Sequence, residues 1–470
     1  MGHANVKPIN GFITPSDGTA SVCPVCLNRI PAERVASGER VELVKSCAEH
    51  GEFRTVVWSG RPGLKDWRRP RTPALLHPVF RERRQGCPFD CGLCPEHRQR
   101  SCTVLLEVTR RCNLHCSVCF AGSKPDDAVD PGLEEIRDWY RKAWEFAPGS
   151  NIQLSGGEPT LRDDLPDVVA AGRAAGFGFI QLNTNGIRLA SDAGYLKALK
   201  EAGLASVFLQ FDGTEDGVHL KLRGRALAEI KNRAIEACAR LDIGVVLVPT
   251  LVPGVNTHAI GGILAAAVRM SPAVRGVHFQ PVSYFGRYPP AIKDAPRITL
   301  PELMAAIEHQ SDGMFKVSDF RPPGCENAWC SFHASYLTLP DGRVRWLQSP
   351  PLSSGCCTSL PAGAGAQRAM AHVARQWAGT RDAAPAAFKD GEAACDSHSQ
   401  DRRSMGLDVF LHRARAHTFT VSAMAFQDAW TLDLERLRDC CIHVLDPPRG
   451  LVPFCAFNLT AADGRGLYRK

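Results

Sequence analysis

Val108-Thr109-Arg110-Arg111-Cys112-Asn113-Leu114-His115-Cys116-Ser117-Val118-Cys119-Phe120 sets three cysteines in C-x3-C-x2-C spacing on one short loop. Three thiolates so placed can hold three irons of a cubane 4Fe–4S cluster and leave the fourth iron without a protein ligand. The apolar run Thr103–Val108 before the loop reads as a strand, and a second strand, Asn151–Leu154, leads into Gly156-Gly157-Glu158-Pro159. Further strands are expected at Phe177–Asn183, Ser206–Asp212, Gly244–Leu251 and Val277–Ser283. Amphipathic stretches such as Gly132–Phe146, Leu165–Ala175, Ala190–Ala202, Ala226–Leu241 and Ile260–Met270 alternate with them. Repeated βα units predict a parallel sheet, and six of them suit a partial (β/α)6 barrel. Polar residues cluster at the strand C-terminal ends, where such barrels build their sites: Gln153, Ser155, Asn183, Asn185, Asp212, Thr250 and Gln280.

Bulk properties allow two to four domains in the 470 residues, with hydrophobic content of 44% and charged content of 22% typical of a globular chain. The sequence shows neither signal-peptide architecture nor an apolar run of membrane-spanning length. The expected location is the cytoplasm, with peripheral membrane contact left open by the mild net charge of +7. Basic residues do not interleave with aromatics, so nucleic acid is not an expected partner. Nineteen cysteines in a long chain of this kind point to metal and cluster ligation rather than to disulfides.

Those cysteines fall into blocks. Cys23-x2-Cys26 and Cys47-x2-His50 lie about twenty residues apart, the pattern of a zinc-ribbon or rubredoxin-like site holding one zinc or iron. Cys87, Cys91 and Cys94 repeat the C-x3-C-x2-C spacing, and Cys102 follows. Lying ahead of the barrel, they are expected to hold an auxiliary 4Fe–4S cluster with Cys102, or His97 in its place, as fourth ligand. Beyond the barrel, Cys325, Cys330, Cys357, Cys441 and Cys455 are candidates for a second auxiliary cluster, one cysteine of each adjacent pair being taken as a packing residue. Cys238 and Cys395 are expected to be non-ligands, the latter within a linker-like stretch, Asp382–Arg403. The expected organisation is a metal-binding ribbon over 1–60, an auxiliary-cluster segment over 61–102, the barrel over 103–312 and a cluster-binding C-terminal extension over 313–470.

The cysteine loop, its flanking strand and the GGEP box resemble the radical SAM superfamily. Cys87-Pro88…Cys94-Pro95-Glu96-His97, Glu107-Val108-Thr109 and Cys325-x4-Cys330 narrow the resemblance to the subgroup of the archaeal tetraether lipid synthase and the class D radical SAM methylases. The C-terminal part, including residues 425–430 and the Cys440–Cys455 segment, departs from the archaeal pattern. The resemblance implies that Cys112, Cys116 and Cys119 are catalytic, holding the cluster that cleaves S-adenosyl-L-methionine to a 5′-deoxyadenosyl radical. It gives Gly156, Gly157, Glu158, Asn183 and Asn185 as cofactor contacts, and Arg223 as a fork for the cofactor carboxylate. It implies an electron donor such as ferredoxin or flavodoxin. Carbon–carbon coupling of lipid chains is the first expectation for the reaction, and C-methylation of a small molecule such as a pterin the alternative. A lipid calls for a long apolar channel, a pterin for a compact pocket with converging polar groups.

Overall fold

In this computed structural model, residues 18–68, 82, 84–123, 129–289, 295–347, 362–380, 413–414 and 416–469 are described. Cys357, Cys395 and the 382–403 stretch lie outside them. The first unit is an antiparallel sheet in the order β1-β2-β3-β4: β1 Gly18–Val22, β2 Arg29–Ser37, β3 Arg40–Cys47 and β4 Gly51–Ser59. Strand periodicity turns Val41, Leu43, Lys45 and Cys47 of β3 to one buried face. The lysine on that face is satisfied, its Nζ donating to Ser21 Oγ at 3.0 Å and to the Ala429 carbonyl at 2.6 Å. It thereby ties the ribbon to the C-terminal part of the chain.

The large sheet is mainly parallel. Its strands are β5 Thr103–Thr109, β6 Asn151–Gly156, β7 Ile180–Thr184, β8 Ser206–Gln210, β9 Gly244–Val248, β10 Thr250–Leu251 and β11 Val274–Pro281. They are followed by β12 Ser331–Thr338, β13 Val344–Trp346, β14 Thr418–Met424, β15 Ile442–Asp446 and β16 Gly450–Pro453. All six expected barrel strands are present, and the run β5-β6-β7-β8-β9-β11 pairs in parallel. Five helices follow the expected amphipathic stretches, α1 Leu133–Phe146, α2 Leu165–Ala174, α3 Ala193–Glu201, α5 Ala228–Arg240 and α6 Ile260–Arg269, and a sixth that was not expected, α4 Asp216–Arg223, precedes α5. In α1, Ile136, Trp139, Tyr140 and Ala143 form the buried stripe that helical periodicity requires. β9 is buried along its whole length, as a parallel strand covered on both faces must be. Two longer helices follow, α7 Leu300–Gln310 and α8 Ala362–Trp377, and two short ones, Leu434–Arg438 and Phe454–Phe457.

The sheet also crosses the boundary expected at residue 312. β14 pairs in parallel with β11, and β15 in parallel with β5. The C-terminal residues therefore flank both edges of the six-strand arc. β12, β13 and β16 extend it in antiparallel fashion.

Candidate active site and metal centres

The Cys112 loop leaves the C-terminal end of β5 and is held by backbone pairing on two sides. Gly157 N–H donates to the Thr109 carbonyl at 2.9 Å, and Glu158 N–H to that of Arg111 at 2.8 Å. No side chain fits there: a Cβ on Gly156, whose φ is +120°, would stand 2.1 Å from the Thr109 oxygen, and one on Gly157 2.1 Å from that of Arg111. On the other side Cys119 and Arg287 exchange backbone hydrogen bonds of 2.8 and 2.9 Å. The Arg287 guanidinium also donates to the carbonyls of Cys116 (2.9 Å) and Ser123 (2.7 Å). Arg287 was not among the expected site residues, because it lies far along the chain and carries no motif. Burial pushes the Cys112 thiol up to about 12, so a metal ion must displace its proton to bind.

Glu158 braces the loop. Its carboxylate accepts from Thr160 N–H (3.1 Å), Thr160 Oγ1 (2.6 Å), Thr184 Oγ1 (2.6 Å) and Asn185 N–H (2.7 Å). Asn185 in turn donates to Asn113 Oδ1 at 2.7 Å, joining the end of β7 to the cysteine loop. Asn183 donates to Ser155 Oγ at 3.3 Å, while its Oδ1 is buried with no partner among the described residues. The arrangement expected for Arg223 differs: its fork is filled by Asp212, with two contacts of 2.7 Å at side-chain exposures of 6% and 0%. A guanidinium paired this way braces the barrel beside the loop instead of presenting its fork to a cofactor carboxylate. Burial alone would raise the Asp212 carboxyl, but the Arg223 charge and the Arg223 and Thr250 hydrogen bonds hold it below its ordinary range.

Four further cysteine groups are built by the fold. Cys23, Cys26, Cys47 and His50 converge, with Cys26–Cys47 at 3.9 Å, Cys23–His50 Nδ1 at 3.7 Å and Cys47–His50 Nδ1 at 3.5 Å. Those edges suit a tetrahedron around one ion with metal–sulfur bonds of about 2.3 Å, so the residues fit zinc. Cys87, Cys91 and Cys94 are buried on a loop that Asp90 ties by accepting from three backbone N–H groups, those of Arg84, Gln85 and Gly86. Tyr468 braces the same loop, donating to the Pro88 carbonyl at 2.6 Å and accepting from Cys91 N–H at 3.0 Å.

Cys102 does not join that set. Its Sγ lies 3.0 Å from Cys441 and 3.9 Å from Cys325, which are themselves 3.3 Å apart. The reason is the β5–β15 pairing, which draws Cys102 N–H onto the Cys441 carbonyl at 2.8 Å. His97 turns away too, pairing through Nε2 with the Cys440 carbonyl at 2.8 Å. The expected post-barrel set is also divided. Cys330 and Cys455 are outside the group that Cys102, Cys325 and Cys441 form; burial first, then charge on Cys455 and Cys330, raises the Cys440 thiol. Arg436 reaches Cys330 at 3.5 Å, and Gln427 N–H reaches Cys455 at 3.2 Å. Of the adjacent pair, Cys441 meets Cys102 and Cys325, while Cys440 Sγ donates to the Ile442 carbonyl at 3.1 Å. Cys238 is buried on α5, as expected of a non-ligand.

A cavity of about 1210 Å³ occupies the barrel lumen. At the strand C-terminal ends it reaches Cys112, Cys116 and Cys119, and at the opposite ends Cys102, Cys325 and Cys441. Six steps of β5 separate the two ends, about 20 Å. Amide side chains on the strands, Gln153, Gln181, Asn183, Gln210 and Gln280, interrupt its apolar wall. That mixed lining differs from the continuous run of Leu, Val, Ile, Phe and Met that a chain of methylenes calls for.

Residues 106–267 match the radical SAM superfamily, and residues 16–59 match the HMPTM N-terminal zinc ribbon domain. This is a radical SAM enzyme, using a 4Fe–4S cluster and S-adenosylmethionine on a small-molecule substrate with a reductant, and preceded by a zinc ribbon. It belongs to the family of the 7,8-dihydro-6-hydroxymethylpterin dimethyltransferase of Methanocaldococcus jannaschii, 34% identical across 94% of this chain and 93% of that one. A probable GTP 3′,8-cyclase of Methanothermobacter thermautotrophicus is 29% identical over 35% of this chain and 53% of its own length. Among solved structures, Streptococcus suis SuiB bound to S-adenosylmethionine aligns with a TM-score of 0.37 and 14% identity, covering 46% of this chain and 48% of that one. No helix among the described residues is long and apolar enough to cross a membrane.

Proposed function

We propose that the protein methylates carbon on a small heteroaromatic molecule, a reduced pterin being the substrate class. The observation that carries this reading is the identity of 34% to a pterin dimethyltransferase over nearly the whole of both chains. The amide-studded lumen supports it, since Gln and Asn side chains can match the ring nitrogens and carbonyl of such a molecule. This reading takes the place of lipid-chain coupling as the favoured reaction.

The cluster that Cys112, Cys116 and Cys119 would hold supplies a 5′-deoxyadenosyl radical from S-adenosylmethionine. The chain's own residues do the positioning. Glu158, Asn185 and Arg287 fix the cysteine loop, and the Gly156–Gly157 backbone closes on it without intervening side chains. Asn183 offers an oxygen that has no partner among the described residues at the same end of the cavity. Cys87, Cys91 and Cys94 serve as ligands of an auxiliary cluster in the segment before the barrel, and a flavodoxin or ferredoxin supplies the electron. The test is anaerobic reconstitution with S-adenosylmethionine as radical source, a reductant, a methylene or methyl donor to supply the transferred carbon, and 7,8-dihydro-6-hydroxymethylpterin, followed by mass spectrometry. The expected result is product heavier by whole methyl groups, formed in step with 5′-deoxyadenosine. An unmodified pterin beside coupled chains in a parallel lipid-extract assay would overturn the reading.

A further inference from the structure

We propose that Cys102, Cys325, Cys441 and Glu326 bind a single metal ion, zinc or ferrous iron, at the strand N-terminal end of the barrel lumen. Glu326 is its displaceable oxygen ligand.

The set is assembled from three separate stretches of chain. Cys102 enters β5, Cys325 and Glu326 precede β12, and Cys441 enters β15. The three thiols are buried, and their Sγ atoms lie within 3.0 to 3.9 Å of one another. Glu326 Oε2 lies 2.8 Å from Cys325 Sγ and 3.6 Å from Cys441 Sγ. Its other oxygen accepts from Ser331 Oγ at 2.5 Å, which turns Oε2 toward the sulfurs. A ligand carboxylate oriented by a hydrogen bond to its second oxygen is the usual support of a metal site.

The spacing decides what kind of site this is. In a cubane each thiolate binds a different iron, so the sulfurs stand a cluster's width apart. Here they lie 3.0, 3.3 and 3.9 Å apart, at or inside the 3.5 to 3.9 Å of the ribbon set and far short of a cluster's width. Ligands in mutual contact surround one ion, and three thiolates with one carboxylate suit a borderline-soft divalent metal. A disulfide between Cys102 and Cys441 does not describe the 3.0 Å separation, because that bond is about 2.05 Å long.

All four residues also face the cavity that reaches the Cys112 loop. Displacing the carboxylate opens one coordination position to the lumen, where a nitrogen or oxygen donor of a bound small molecule can enter. Three fixed ligands with one exchangeable position is the pattern of a working metal site, in contrast to the closed ribbon. The site does not depend on which substrate occupies the lumen.

The test uses the full chain, purified anaerobically, with metal and acid-labile sulfide measured on wild type, Cys102→Ser and Cys441→Ser. Each variant is expected to lose about one metal per chain with sulfide unchanged, since a single ion carries no inorganic sulfide. Glu326→Ala should retain the metal at least about tenfold more weakly, and Glu326→Cys should retain it with an added sulfur ligand in X-ray absorption. The visible absorbance of the remaining clusters reports that each variant has folded. Loss of iron and sulfide together in cubane ratio would overturn the proposal. So would unchanged metal content, or a Cys102–Cys441 disulfide in freshly isolated protein.

Discussion

At the scale of single residues, Gly157 and the three loop cysteines have separable roles. Replacing Cys112, Cys116 or Cys119 with alanine removes one of the three thiolates that would hold the open cluster. Each change should abolish 5′-deoxyadenosine formation while iron elsewhere in the chain is retained, as checked by iron content beside product yield. Gly157→Ala leaves the thiols intact but drives a methyl group into the Arg111 carbonyl. The loop pairing must then open, and we expect a loss of about 2 kcal/mol or more of stability together with lower iron occupancy. Denaturant unfolding checks the first effect, and a wild-type iron load in this variant would show that the close approach is not needed. The cysteine spacings and the GGEP box could be read directly because each lies within a dozen residues. Arg223 could not: Asp212 lies only eleven residues before it, but the turn between β8 and α4 that brings the two together has no spacing rule to mark the pair.

At the scale of elements, the Asp212–Arg223 pair joins the end of β8 to α4. Asp212→Asn leaves a buried guanidinium without its counter-charge, at a cost of about 3–5 kcal/mol. The pH dependence follows from the depressed carboxyl. Its stabilisation is present in full above the unfolded carboxyl value of about 3.9 and is lost as the pH falls through the lower folded value. Acid unfolding of wild type should therefore steepen below about pH 4, and the asparagine variant, less stable at neutral pH, should show a shallower slope there. Equal slopes in denaturant melts from pH 2 to 6 would count against the pair as the cause. The strands themselves were readable from apolar runs, but the parallel docking of β14 and β15 on the arc was not. Each is a short segment whose pattern suits any buried strand, and pairing partners are chosen by the edges left open.

At the scale of the whole molecule, the cavity joins one cysteine group at the strand C-terminal ends to another about 20 Å away at the N-terminal ends. A third, Cys87–Cys94, lies on the loop that Tyr468 braces near the chain's end. If that third group serves an auxiliary cluster, Cys91→Ala should lower the iron content while some uncoupled S-adenosylmethionine cleavage survives. Complete loss of cleavage with the Cys112 cluster still present would contradict this division. The C-terminal strands matter equally. A chain ending before β14 exposes the edges of β11 and β5 and removes Cys441, so it should be recovered mainly as aggregate in a solubility assay.

By itself the sequence determined the alternating strands and helices, the ribbon and the two C-x3-C-x2-C loops. In each of these the covalent chain fixes how far apart the ligands or apolar residues can be. Only the tertiary structure decided that Cys102 leaves the Cys87 set for Cys325 and Cys441, 223 and 339 residues away. It alone divided Cys440 from Cys441 and closed the Arg223 fork. Over the 223 and 339 residues between Cys102 and its partners the chain imposes no distance of its own. Which side chains meet is settled by strand pairing and burial across the whole sheet, and neither leaves a local mark in the sequence.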